Sequence, residues 1–169
     1  MLPDPVLALF PASDFTWLTF VIIYAGVLGG IGYLVRHPRH LLLAVQTYLL
    51  MILARIIGMS LMPLDPPPGM IALKDPFVEF FGSGTTLTRD LFFSGHTATV
   101  FIVALAAPGR PAKIVFLVCT ALVAACVLLQ HVHYAIDVFA APFFAYGCYR
   151  AALLVQRKLE REAAPRGSS

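Results

Sequence analysis

Five apolar runs, 15–35, 41–64, 91–107, 112–130 and 134–155, divide this chain, and polar or proline-bearing punctuation separates them. An α-helix rises about 1.5 Å per residue, so roughly 20 apolar residues cross about 30 Å of hydrocarbon. The pattern therefore predicts an all-α, polytopic membrane bundle with about five transmembrane helices. Arg36-His37-Pro38-Arg39-His40 forms one tight basic turn and Pro108-Gly109-Arg110-Pro111-Ala112-Lys113 another. In both, proline discourages a continuous helix. The longest segment between spans, 65–90, opens with Pro66-Pro67-Pro68-Gly69, and its Phe-rich stretch 75–81 suits a short amphipathic helix lying in the interface. Residues 1–14 carry no basic residue ahead of their apolar part, so no cleavable signal is expected and the first span serves as its own insertion signal. Residues 1–155 read as a single transmembrane domain and 156–169 as a charged cytoplasmic tail.

Composition agrees with this pattern. Hydrophobic residues make up 59% of the 169 positions and charged residues 12%, which excludes a soluble domain with a wet, charged surface. The net charge of +3 does not point to nucleic acid, because the basic residues flank spans. Cys119, Cys126 and Cys148 all fall inside apolar runs without metal-ligand spacing, so they read as small buried side chains.

Charge also orients the chain. Nine of the twelve basic residues, Arg36, Arg39, Arg110, Lys113, Arg150, Arg157, Lys158, Arg161 and Arg166, alternate onto one side. The positive-inside rule makes that side cytoplasmic. The amino terminus and the long loop are then expected on the outer, periplasmic face of an inner or plasma membrane, and the carboxyl terminus inside.

Against this background the stretch His131-Val132-His133-Tyr134-Ala135-Ile136-Asp137 stands out, because ionisable groups are costly near hydrocarbon and mark functional sites. His133 and Asp137 are spaced i, i+4, so a last helix beginning by Val132 would put them on one face. A carboxylate on one imidazole nitrogen fixes the tautomer and supports the charge that develops when the other attacks an electrophile. On such a helix His131 would point away by about 200°, which makes it secondary.

Ser94-Gly95-His96-Thr97 supplies a second element: a capping serine, a glycine that lets a phosphate approach the backbone, and a histidine at the positive end of a helix. Helix-start histidines tend toward lower pKa, which suits a general acid near neutral pH. Arg55, deep in the second run, and Arg89 carry forked guanidinium groups that match phosphate oxygens. Together these residues suit phosphoryl transfer without a metal or other cofactor. A zinc site from His96, His131, His133 and Asp137 is a competing reading, but it leaves Arg55 and the Ser-Gly pair without a role. His37 and His40, beside two arginines, read as bilayer flanks.

Ser94-Gly95-His96-Thr97 and His133-Tyr134-Ala135-Ile136-Asp137-Val138 resemble the paired signatures of the type-2 phosphatidic acid phosphatase superfamily, and more closely its sphingomyelin synthase-like branch. Asp90 stands four residues before Ser94, as in that branch, while Ala135 replaces its threonine. Arg55 with Met59 and Leu61-Met62-Pro63 is similar to the branch's Arg-x-x-Thr-Met segment, with Gly58 in place of threonine. The phosphatase's Lys upstream of Arg-Pro and its Ser-Arg pair are absent, Arg110-Pro111 falls on the cytoplasmic side, and the synthases have six spans. The resemblance covers roughly 45–150.

It implies a catalytic domain in which His133 is the nucleophile that forms a phosphohistidine, Asp137 its orienter and His96 the acid for the departing alcohol. Arg55, Ser94, Gly95 and Arg89 are the expected phosphate-binding group. The implied reaction carries a phosphoryl or phospho-headgroup from a membrane phospholipid to a lipid alcohol or other acceptor. Two alternatives stay open: a lipid phosphate phosphatase with water as acceptor, and a non-catalytic lipid-binding membrane protein.

Overall fold

A computed structural model describes residues 3–61, 65–74 and 92–163. Among the described residues a 3-10 turn, Leu7–Leu9, precedes five helices: α1 Thr16–Leu34, α2 Pro38–Leu61, α3 Gly95–Ala106, α4 Arg110–Leu129 and α5 Ala135–Ala163. The described residues contain no strand, as the apolar pattern requires. Among the described residues four helices, α1, α2, α4 and α5, are long and apolar enough to cross a membrane.

The run at 91–107 behaves differently from a full span. Its helix, α3, has 12 residues, or about 18 Å. Ser94 caps its start, so Phe92 and Phe93 lie ahead of the helix, and Pro108-Gly109 follows its end. A helix this short is accommodated because it contacts all four others and is screened by them. Ala98, Val100, Ile102, Val103, Ala104 and Ala106 are all buried. Small residues let backbones approach closely where hydrocarbon supplies no hydrophobic drive between helices. The Gly26-x-x-x-Gly30 pair of α1 shows this directly. A Cβ on Gly30 would collide with Val103, and one on Gly26 would lie 3.4 Å from Val100.

Large apolar side chains point outward along the long helices, among them Trp17, Leu28, Ile57, Ile114, Phe139 and Leu154. A continuous apolar exterior of this kind is stable in lipid and a liability in water. At the end where α1 gives way to α2, Tyr33 stacks obliquely on His37, and its hydroxyl lies against Gly109. Near that end Gln156 donates to Gln46 at 2.9 Å, tying α5 to α2. The charged segment after 155 continues α5 as helix as far as Ala163.

The start of α5 departs from expectation. The helix begins at Ala135, not by Val132, so His133 lies in the turn before it and does not share a helical face with Asp137. The cause is the way α4 ends. His131 adopts a left-handed backbone, φ 55°, its N–H donates to the Leu128 carbonyl, and the Val132 N–H reaches back to Val127. This is a Schellman termination, which reverses the chain within a few residues and usually places glycine at the left-handed position. His131 there bears a steric cost that glycine would not.

Candidate active site

The site lies at the end of the bundle where α2 finishes and α3 and α5 start, and it can be followed from α3 outward. The Ser94 side chain accepts from the Thr97 N–H at 3.3 Å and meets the Thr97 hydroxyl at 3.0 Å. Ser94 is fully buried, so its Oγ serves the cap. The cap leaves Gly95 and His96 as the first two helical residues, at the positive end of the α3 dipole.

Arg55, from the last third of α2, fills the space beside Gly95. Its Nη1 donates to the Phe93 carbonyl, and its guanidinium carbon lies 5.4 Å from the centroid of the Phe93 ring. Phe93 is wholly buried and stacks against Phe144, 4.8 Å between centroids and 7° from parallel. The arginine is thus held by an aromatic shelf, with its charge at the start of α3.

The second half of the site is the turn before α5. Asp137 is the third residue of that helix, and its Oδ2 accepts the Tyr134 N–H at 3.2 Å, the return half of a capping box. The same oxygen lies 3.8 Å from His133 Nδ1, and both side chains are 3% exposed, so no bulk water competes for the pair. Sequence spacing on a helix did not produce this neighbour relation; a carboxylate reaching back over the helix start did.

One backbone hydrogen bond fastens the two halves together: the Ser94 N–H donates to the Asp137 carbonyl at 3.1 Å. Across it the His96 and His133 rings meet edge to face, 6.3 Å between centroids. Phe20 of α1 closes one side of His96, with its ring centroid 6.2 Å away. Arg55, Ser94, Gly95, His96, His133 and Asp137, drawn from three separate parts of the sequence, therefore converge. Arg89, Asp90 and the 75–81 stretch lie outside the described residues.

His131 is turned to a different task. It is buried, its Nδ1 lies 3.4 Å from the Pro68 carbonyl, and its ring meets Phe10 edge-on. Among the described residues no three His, Cys, Asp or Glu side chains gather closely enough to hold a metal ion.

Sequence reasoning missed several residues that frame this end. The side chain of Gln130, wholly buried, donates to the Thr16 hydroxyl at 2.7 Å and to the Ile71 carbonyl at 3.4 Å, and the Gln130 backbone carbonyl accepts the Ile71 N–H. The Tyr134 hydroxyl donates to the Asp65 carbonyl at 3.2 Å. The described part of the long loop, 65–74, is thereby sewn onto the turn that carries His133. Gln130 was the one with a signal, a polar residue at the very end of an apolar run. Phe93 had none, because an aromatic in an apolar run looks like any other core residue.

Comparison with known proteins finds a likeness over part of the chain. Residues 89–153 match the family model described as PAP2 superfamily C-terminal, a segment holding both histidines and the aspartate. No curated protein and no solved structure matches the chain. A match of this kind suggests activity of the lipid phosphatase or phosphotransferase type. The match spans less than half of the chain, from the entry to α3 through most of α5, and the apolar helices around it suit an integral membrane protein.

Proposed function

We propose that the chain moves a phosphoryl or phospho-headgroup from a membrane phospholipid to an acceptor alcohol through a phosphohistidine at His133. The observation that carries this reading is the buried His133–Asp137 pair set edge-on to His96, with Arg55 beside the same helix start. With Nδ1 facing the carboxylate, Nε2 is the nitrogen that attacks phosphorus. The P–N bond forms as the P–O bond to the lipid alcohol breaks, and His96 gives its proton to the departing oxygen. In the second half-reaction the acceptor hydroxyl passes its proton to His96 while its oxygen attacks phosphorus. The P–N bond breaks and His133 is restored.

Arg55 and the positive end of α3 offset the charge that gathers on the phosphoryl oxygens, and Gly95 keeps the approach open. Ser94 contributes by holding that helix start in place, and Arg89 is assigned to the same phosphate group. Every group in this scheme is a side chain or backbone of the chain itself, so it needs no metal or other cofactor. The spacing of Asp90, Ser-Gly-His-Thr and the second signature supports the sphingomyelin synthase-like branch. The excess of basic residues at the opposite end supports an outward-facing, periplasmic site with a cytoplasmic carboxyl terminus.

The test uses purified protein in membranes containing a phospholipid labelled in its headgroup phosphate, with a chelator present. Label appearing in a second lipid supports transfer, whereas label appearing only in water supports the phosphatase alternative with the same residues. Turnover that stops on chelation, or that survives unchanged in His133→Ala, would overturn the scheme.

A further inference from the structure

Before α1 the chain runs as a strap across the end of the bundle that holds the site. Asp4 divides its carboxylate between two helix starts. Its Oδ1 accepts the Val6 and Leu7 N–H groups at 2.9 and 3.2 Å, capping the 3-10 turn. Its Oδ2 accepts the Ala135 N–H at 2.7 Å, capping α5. Ala135 follows the Tyr134 N–H that Asp137 caps, so two carboxylates serve adjacent backbone donors at one helix start.

From this geometry we infer that Asp4 is a positioning residue for the His133 turn, its carboxylate fixing the start of α5 and, through it, the distance between His133 and Asp137. The catalytic part of this inference rests on the phosphohistidine reading above; the clasp itself does not.

Three observations support it. First, the strap is held more by polar bonds than by packing. A cleft of about 500 Å³ lies between Pro3, Pro5 and Ala8 on one side and Pro68 and His131 on the other. A groove of about 630 Å³ separates the strap from Ile136, Val138 and Phe139. Leu7 is its buried anchor, and the Ser13 N–H, bonded to the Leu129 carbonyl, holds the far end. Second, the acceptor sits at an exacting place. An uncapped first-turn N–H leaves a helix start free to fray, and fraying here would move Asp137. Third, the segment between the capped start and the left-handed His131 is only three residues long, so His133 has little freedom once both ends are fixed.

The experiment compares Asp4→Ala and Asp4→Asn with the unaltered full-length protein in lipid nanodiscs, by hydrogen exchange and by single-turnover kinetics with a labelled lipid phosphate. In Asp4→Ala, exchange across 131–137 should rise roughly fivefold, the usual scale of a lost cap, while the opposite bundle end at 33–40 stays unchanged. The rate of phosphoenzyme formation should fall roughly tenfold, with KM held within about twofold, because the binding groups are elsewhere. Asp4→Asn keeps one acceptor oxygen and should fall between the two in both readouts. Unchanged exchange across 131–137 in Asp4→Ala would overturn the clasp whatever the chemistry. Raised exchange with an unchanged phosphoenzyme rate would overturn the positioning role. An unaltered protein that forms no phosphoenzyme would overturn the catalytic part and the reading it rests on, and exchange alone would then decide the clasp.

Discussion

Arg55 occupies the space that a side chain at Gly95 would need: a Cβ built on Gly95 falls 2.5 Å from Nη1 and 2.8 Å from the guanidinium carbon. The absence of a side chain at Gly95 therefore lets a cation from another helix lie against the start of α3. Gly95→Ala is expected to push Arg55 off the helix start and lower kcat/KM roughly 10- to 100-fold, the scale on which misplaced groups act. Its effect on stability should be small, because alanine suits a helix start no worse than its middle. Steady-state kinetics beside a melting curve separates the two effects.

A second glycine is fixed by packing alone. A Cβ on Gly58 would collide with the Phe92 ring, and Phe92 in turn meets Phe93 and Phe144 edge-on. Gly58→Thr introduces the residue that the sphingomyelin synthase-like pattern has at this place, and it should destabilise the bundle by about 1–3 kcal/mol through overpacking. Thermal unfolding in detergent, followed by circular dichroism, measures it. An unchanged midpoint would mean that Phe92 yields freely.

How much of this was legible in the sequence depends on the kind of physics involved. Apolar runs and proline-bearing turns locate helices, because hydrocarbon thickness and backbone donors leave few choices, and α1, α2, α4 and α5 follow from them. Ser94 was legible as a cap, since a short polar side chain ahead of an apolar run has that one use. The bringing together of Arg55, His96 and His133 was anticipated from alternation of the spans. The neighbour relation of His133 and Asp137 was anticipated for the wrong reason: an i, i+4 spacing suggests a shared helical face, while the chain uses a turn and a returning carboxylate. Nothing local announces that α4 ends in a Schellman motif with histidine at its left-handed position. Asp4 and Phe93 were invisible, because their partners, Ala135 and Arg55, are set by tertiary contact.

That left-handed position gives a direct prediction. At φ 55° glycine bears no Cβ penalty, so His131→Gly should be more stable than His131→Ala by roughly 1 kcal/mol, although both lose the contacts to Phe10 and Pro68. Paired unfolding curves give the difference. An alanine variant equal to or better than glycine would contradict the assigned backbone.

The clasp at Asp4 should also show in pH dependence. Burial alone would raise this carboxyl, but hydrogen bonds from the Ala135, Leu7 and Val6 N–H groups, with His131 as the facing titratable group, hold it below its ordinary value of 3.8. A depressed carboxylate stabilises the folded state above its unfolded value, and that stabilisation is lost as pH falls through the lower folded value. Protection of 131–137 against exchange should therefore persist from neutral pH down to about 4 and decline below it, with the decline absent in Asp4→Asn. Exchange measured between pH 3 and 7, corrected for the intrinsic rate, decides this; protection that falls off near pH 6 would assign the dependence to a histidine.

The central claim, that His133 carries the phosphoryl group, is most directly tested by trapping the intermediate. His96→Ala is given a lipid phosphate whose leaving group is good enough to depart without a protonating acid, then quenched in base and mapped by mass spectrometry. The expected result is a base-stable, acid-labile phosphate on the peptide containing His133, absent from His96→Ala/His133→Ala. Phosphate found on His131, or turnover by the unaltered protein with no adduct on either histidine of the 131–137 stretch, would contradict it.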